Sequence, residues 1–278
     1  MIYLLLAIIS SALVTIIMRL CENRIKNNIS LLSMNYIMCI IFAGFYSGFD
    51  KLIPHGAGSG GAIGMGLLNG IFYLSGFVLL QMNVRANGVV LTTTFMKLGV
   101  LVPTVVAILC FGEVPTALQI VGFIIAVTAI ILIHSHKEQS DITFKIGLVL
   151  VLLAGGSGDA MSKVFEELGR AEFEENFLLY TFLSAFILSV LFAVKKGQSL
   201  AKEEVFWGLL IGIPNYYSAR FLLKALGSIP AIVAYPTYSV ATIVVVSIVG
   251  IVAFHEKVDR TRKIAIGMIL AALVMLNI

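Results

Sequence analysis

Along this chain, apolar runs of about twenty residues alternate with short polar, charged or Gly/Pro-rich breaks, the length a helix needs to cross a hydrocarbon layer about 30 Å thick. Ten runs are placed, at approximately 2–20, 30–48, 62–82, 88–111, 115–134, 145–163, 176–194, 204–224, 228–252 and 261–277. Backbone polar groups inside lipid must be satisfied within the spanning element, and the runs lack ten-residue alternation, so the spans are helices rather than barrel strands. The longest breaks, GFDKLIPHGAGSGG, HSHKEQSDITFK and FEELGRAEFEEN, are too short for another domain. The opening run, MIYLLLAIISSALVTIIMRL, has no basic leader and no convincing cleavage site, and reads as an uncleaved first span.

Composition agrees with the pattern. The 278 residues are 59% hydrophobic and 12% charged, with a mean hydropathy of +1.03, against about 25% charged residues in soluble domains. A net charge of +4 supplies no basic stripe, which sets nucleic-acid partners aside. Cys21, Cys39 and Cys110 lack metal-ligand spacing, so neither a disulfide framework nor a metal is expected.

The chain also repeats itself. GLLNGIFYLSGFVLLQ at 66–81 aligns without gaps on GLLIGIPNYYSARFLLK from 208, matching Gly66, Leu67, Leu68, Gly70, Ile71 and Leu80 with Gly208, Leu209, Leu210, Gly212, Ile213 and Leu222. The following span of each half ends alike, CFGEVP at 110–115 and AFHEKV at 253–258, with Glu113 and Glu256 in register. Span three thus corresponds to span eight, and four to nine. Five helices per half is an odd number, so the second copy enters the membrane from the opposite side. The expected fold is an all-α membrane protein of ten transmembrane helices in two inverted five-helix repeats, residues 1–138 and 139–278. Such repeats belong to secondary transporters, whose sites lie near the midplane between repeats.

These features, with Phe111-Gly112-Glu113 followed by Gln119-Ile120-Val121-Gly122 and the second copy at Phe254-His255-Glu256 with Gly267, resemble the EamA-type members of the drug/metabolite transporter superfamily. The resemblance covers nearly the whole chain. It implies movement of a small metabolite, commonly by export, and marks Gly112, Glu113 and Glu256 as family positions. The chain departs from the family at Ser10-Ser11-Ala12, Asn35-Tyr36 and His255, so no substrate is carried over.

A charge inside a span costs about 2.5–3.5 kcal/mol and needs an interior position, a partner or an escape to the interface. Three stand out. Lys97 lies roughly 14 Å into span four, near the midplane, where snorkelling is hard. It either lines a transport cavity or serves structurally, bonded to helix-terminal carbonyls. Arg220, about one turn before Lys224, either anchors at the interface or lines the cavity. Asp159 precedes Lys163 by four residues, which suits a local ion pair; the sharper alternative sets it against Lys97 or Arg220 across the repeat interface.

Polar and aromatic side chains gather in the same spans: Asn69 and Tyr73 in three, Thr92, Thr93 and Thr94 in four, Asn215, Tyr216 and Tyr217 in eight, Tyr235 and Tyr238 in nine. Tyrosine combines an apolar wall with a hydroxyl and suits a pocket for a small organic molecule. Pro103, Pro214, Pro230 and Pro236 remove backbone donors and predict helices broken or hinged in both halves. The pairs Gly44/Gly48, Gly66/Gly70 and Gly208/Gly212 predict close helix contacts.

Other apparent motifs carry less. GAGSGG follows a membrane helix rather than a strand and reads as a flexible loop, HSHK as a solvated helix end, and the glutamate-rich FEELGRAEFEEN as a solvated loop. No catalytic constellation or phosphate loop appears, so neither enzymatic chemistry nor a cofactor is expected. Thirteen Lys and Arg flank the loops after odd spans and four those after even spans, which by the positive-inside rule sets both termini outside the cytoplasm. The resemblance implies both inside; the charge count is given more weight here. The reading is a secondary transporter in the bacterial cytoplasmic membrane, exporting a small organic metabolite by alternating access, driven by a proton, another ion or the substrate's own gradient. Alternatives of the same fold are a multidrug exporter and a passive facilitator, those of a different class are an intramembrane enzyme and a helical scaffold, and a homodimer is compatible with the sequence.

Overall fold

The computed structural model describes residues 1–49, 51–87, 89–134, 145–254 and 260–278, so Glu256, His255, the HSHK motif and the boundary at 138 lie outside the described residues. Among the described residues the chain is helical throughout, with no strand. Its helices are α1 (Ile2–Cys21), α2 (Asn28–Ser47), α3 (Ser59–Asn87), α4 (Val89–Lys97), α5 (Leu101–Phe111), α6 (Ala117–His134), α7 (Lys145–Leu168), α8 (Glu174–Lys195), α9 (Lys202–Leu226), α10 (Ala231–Phe254) and α11 (Arg260–Leu276). Seven described helical stretches are long and apolar enough to cross a membrane, and α6 and α11 contain shorter apolar helices. Helix α9 falls below that apolarity, because Lys202, Glu203, Glu204, Asn215, Arg220 and Lys224 interrupt it. The chain is a multi-pass membrane protein.

Span four differs from the continuous helix expected. It is α4, a 3-10 turn at Leu98–Val100, and α5. Pro103 has no N–H to return to the Gly99 carbonyl, and its ring crowds that carbonyl. Gly99 also packs against α7 so closely that a Cβ there would lie 2.9 Å from the Gly156 nitrogen. By contrast α9 runs through Pro214 and α10 through Pro236 as helix, and Pro230 precedes the start of α10. The interruption expected in both halves is therefore seen in span four alone among these helices.

Two compact units form. The first holds residues 1–74 and 164–227, the second 75–163 and 228–278, so each takes helices from both sequence halves. In the first, α2 packs on α8 and α9, and α9 on α1. Two glycine pairs set how closely. A Cβ on Gly66 would lie 2.7 Å from the Phe177 carbonyl oxygen and 3.2 Å from the Thr181 nitrogen; one on Gly208 would lie 2.6 Å from Leu31 O and 3.2 Å from Asn35 N. One turn later, Gly70 meets Thr181 O at 2.4 Å and Gly212 meets Asn35 O at 2.5 Å, measured in the same way. Helix α3 thus lies on α8, and α9 on α2, each pair running in parallel through matching atoms. Gly48 does not join in: it ends α2 with φ +84°, a conformation glycine takes freely.

In the second unit α6 packs along α11, with Gly122 against Met275 and Leu276. Their core joins Ala126, Ala129 and Ile130 to Ile269 and Ala272, with Leu98 and Val240. Helix α6 opens on a reciprocal cap: the Thr116 N–H donates to Gln119 Oε1 at 3.0 Å, and the Gln119 N–H to Thr116 Oγ1 at 3.2 Å. That cap accounts for Gln119 at the start of the span.

Candidate functional site

The predicted residues fall into two sets, one per unit. In the first unit the centre is Arg220 on α9. Its Nε donates to Glu175 Oε1 at 2.5 Å, and the Tyr216 hydroxyl donates to Glu175 Oε2 at 2.5 Å. Both charged side chains are largely enclosed, 16% exposed for Arg220 and 15% for Glu175. The guanidinium lies 3.8 Å from the centre of the Tyr46 ring, a cation–π contact that strengthens as water is excluded. Tyr46 and Tyr217 join at their hydroxyls at 3.0 Å. Phe42 stacks on Tyr216 at 5.6 Å, and Tyr217 on Phe221 at 5.5 Å. An ion pair is thus walled by aromatic rings from α2 and α9.

Helix geometry brings these groups together. Tyr216, Tyr217 and Arg220 sit within one turn and a half of α9, and positions 216 and 220 share a face. Phe42 and Tyr46 are likewise one turn apart on α2. Glu175 lies in the first turn of α8, where exposed backbone N–H groups favour a carboxylate. This corrects the reading of FEELGRAEFEEN as a solvated loop: α7 continues to Leu168, a 3-10 turn covers Ala171–Phe173, and Glu175 is drawn inward by Arg220. Glu175, Tyr46 and Phe42 are the members that sequence reasoning passed over. The available signal was Arg220 itself, since a guanidinium inside a span needs a carboxylate at a nearby helix end.

Two cavities flank the cluster. One, of about 460 Å³, is a polar vestibule lined by Tyr46, Ser47, Lys51, His55, Glu172, Glu175 and Asn176 with Ile53, Pro54 and Phe173. The other, of about 400 Å³, is an open apolar groove between α1 and α9 whose lining includes Leu13, Ile17, Leu210, Pro214, Tyr217 and Phe221. Asn176 braces the vestibule by donating to Ser47 Oγ at 3.1 Å and to the Lys51 carbonyl at 3.0 Å.

The remaining first-unit residues serve helix contacts. Asn215 donates to Asn35 Oδ1 at 3.2 Å, Asn69 donates to Thr181 Oγ1 at 3.4 Å, and Tyr73 meets Phe182 edge-on at 6.1 Å. The Oδ1 of Asn69 is buried with no hydrogen-bond partner.

In the second unit Lys97 ends α4, exposed, at the helix interruption. Its charge and that of Asp159 on α7 act on each other. The buried Tyr235 hydroxyl donates to the Asp159 backbone carbonyl at 2.5 Å, which ties α10 to α7, and Tyr238 is half-buried two residues further on from Pro236. Lys163 goes elsewhere than the four-residue spacing suggested: its Nζ lies 3.0 Å from Glu113 Oε1, with the lysine side chain 4% exposed. Glu113 also accepts the N–H groups of Ala231 at 2.9 Å and Ile232 at 3.0 Å, capping α10. The preceding Gly112 makes this reach available, because its φ of +67° turns the chain out of α5. Burial pushes the Glu113 carboxyl up, but the Ile232 and Ala231 N–H groups and the Lys163 ammonium together hold it below the ordinary carboxylate range. The Gly-Glu pair that ends span four therefore ties three helices.

Residues 177–269, from α8 into α11, match the family model described as Small Multidrug Resistance protein. An uncharacterized protein of Haemophilus influenzae is 25% identical over 287 residues, covering 97% of this chain and 95% of its own length. An uncharacterized membrane protein of Bacillus subtilis, YvaE, is 34% identical over 95 residues, which is 33% of this chain and 80% of the relative. A solved crystal structure superposes with a TM-score of 0.73 over 99% of this chain and 94% of that one; at 13% identity it speaks for the fold alone. The chain is related to the membrane protein YvaE, and its likeness to small multidrug resistance proteins is carried by residues 177–269.

Proposed function

We propose that the chain is a secondary transporter that exports small organic molecules by alternating access between two inverted five-helix repeats. The observation that carries this reading is the duplicated glycine contact. Gly66 and Gly70 meet residues 177–185 in the way that Gly208 and Gly212 meet residues 31–38, each glycine facing a carbonyl oxygen and a Cβ of the neighbouring helix at nearly equal spacing. Residues 66 and 208 are also the starts of the sequence repeat, so α3 with α8 and α9 with α2 are equivalent pairs. A pair of parallel contacts exchanged between halves is what a two-fold axis in the membrane plane produces.

In the first unit Arg220, Glu175 and Tyr216 with the tyrosine walls form a candidate solute site, and in the second unit Lys97, Asp159, Tyr235 and Tyr238 form a separate charged and aromatic set. In the first set charge and aromatic surface stand together, a combination that suits a small amphipathic molecule. The multidrug variant of this reading is supported by the match of residues 177–269, and a coupling proton or ion would be exchanged at the carboxylates. Purified protein in liposomes, offered a panel of amino acids, other metabolites and lipophilic organic compounds under imposed proton and sodium gradients, is expected to move at least one class. A panel in which no solute moves under any gradient overturns the reading.

A further inference from the structure

We infer that Tyr46 and Tyr217 form a gate, held shut by Arg220 and Glu175, between the polar vestibule and the apolar groove. The inference rests on the transport reading above and names where the path closes. The two cavities have no lining residue in common, yet Tyr46 lines the vestibule and Tyr217 the groove, and their hydroxyls bond at 3.0 Å. The partition is thus two side chains, one from α2 and one from α9.

Both tyrosines are braced from behind by the same charges. Arg220 lies on the Tyr46 ring face at 3.8 Å, and Glu175, itself a vestibule wall, holds Arg220 through Nε and Tyr216 through its hydroxyl. Tyr216 stacks on Tyr46 at 5.9 Å and meets Tyr217 edge-on at 5.4 Å. In this gate a solute passes from the vestibule to the groove as Tyr46 swings from Tyr217, and that swing strips the cation–π contact from Arg220. The vestibule carries Lys51, His55, Glu172 and Glu175, whereas the groove is apolar apart from Ser10 and the Tyr217 hydroxyl. The gate therefore stands where a solute exchanges a charged environment for an apolar one. Pro214, on the same helix as Tyr217, also lines the groove and leaves the Leu210 carbonyl there without its helical hydrogen bond.

The test needs no substrate. In full-length protein with Cys21, Cys39 and Cys110 replaced by alanine, two single-cysteine reporters are made, His55→Cys in the vestibule and Leu13→Cys in the groove. A membrane-impermeant maleimide is applied to oriented sealed vesicles from the side on which position 55 reacts. Position 13 is expected to react slowly in the parent and about tenfold faster once Tyr46→Phe or Tyr217→Phe removes the hydroxyl bond, a factor in keeping with one hydrogen bond. Arg220→Gln is expected to accelerate it likewise, and Phe206→Ala, on the exposed start of α9, to leave it unchanged. Equal labelling of position 13 in the parent and in both phenylalanine variants overturns the gate, whatever the solute panel shows. A failed solute panel with accelerated labelling overturns the transport reading and keeps the gate.

Discussion

Arg220 and Glu175 meet at 2.5 Å across 45 residues of sequence, each about 15% exposed, with the Tyr216 hydroxyl on the second carboxylate oxygen. Removing one partner strands the other charge. Breaking a buried pair costs about 3–5 kcal/mol, and partial solvent access here reduces that to about 2 kcal/mol. Glu175→Gln and Arg220→Gln are each expected to lower the melting midpoint in detergent, and the double variant to recover most of the loss. Losses that simply add in the double variant would show that the two groups do not act as a pair.

Glu113 gives the fold an acid-sensitive joint. Its carboxyl is held below its ordinary value of 4.5 in the folded chain, so the unfolded state binds the proton more readily. The sign follows: the stabilisation is present above the ordinary value and is lost as pH falls through the depressed one. A melting-point titration from about pH 6 to pH 3 is expected to drop more steeply below the ordinary value for the parent than for Glu113→Gln, which has no charge to lose there. At neutral pH Glu113→Gln is expected to be destabilised by about 1–2 kcal/mol, through a weaker cap on α10 and the loss of the charged partner that Glu113 gives the buried Lys163. Parallel titration curves for the two proteins would remove the joint.

The glycine contacts predict a matched pattern of damage. Gly70→Ala and Gly212→Ala place a methyl group within 2.4–2.5 Å of a backbone oxygen on the neighbouring helix, which must then move away. Each is expected to cost about 1–3 kcal/mol. Gly64→Ala and Gly267→Ala meet nothing within 4 Å and are expected to be neutral or to stabilise their helices by up to about 1 kcal/mol. Thermal melting of the four variants checks both halves of the pattern at once.

What the sequence made legible follows from how local each signal is. Each of the ten apolar runs falls on described helix, span four as two helices joined by a 3-10 turn, because an apolar run announces itself within twenty residues. Gly112 and Glu113 stand out as family positions, but that Glu113 caps α10 and pairs with Lys163 depends on contacts between residues far apart in the sequence. The four-residue spacing of Asp159 and Lys163 suggested a local pair, yet a lysine with a carboxylate and a cap beside it across the fold takes that partner. Glu175 was hidden for a similar reason. In a run of five glutamates every carboxylate looks alike until α9 shows which one faces an arginine. The break in span four was legible as Pro103, but its position at Lys97–Leu101 depends on the contact of Gly99 with α7, which no local pattern encodes.

Lys97 is where these arguments meet in a single substitution. It ends α4 at the interruption, is exposed, and feels the charge of Asp159 on a helix that Tyr235 binds through its backbone. A lysine kept only for structure would be expected to satisfy helix-end carbonyls and to be enclosed. An exposed ammonium in an apolar span is instead available to a solute or a moving counter-charge. Lys97→Met keeps the length and apolar stem of the side chain and removes the charge. It is expected to insert and melt like the parent, because no packed partner is lost, while the rate of solute movement in liposomes falls about tenfold or more, the effect of losing about 1.4 kcal/mol of interaction. Lys97→Arg, which restores charge but not shape, is expected to recover part of the rate. A Lys97→Met protein that melts several degrees lower yet transports at the parent's rate would assign the residue to the helix interruption and leave Arg220 and Glu175 as the charged machinery.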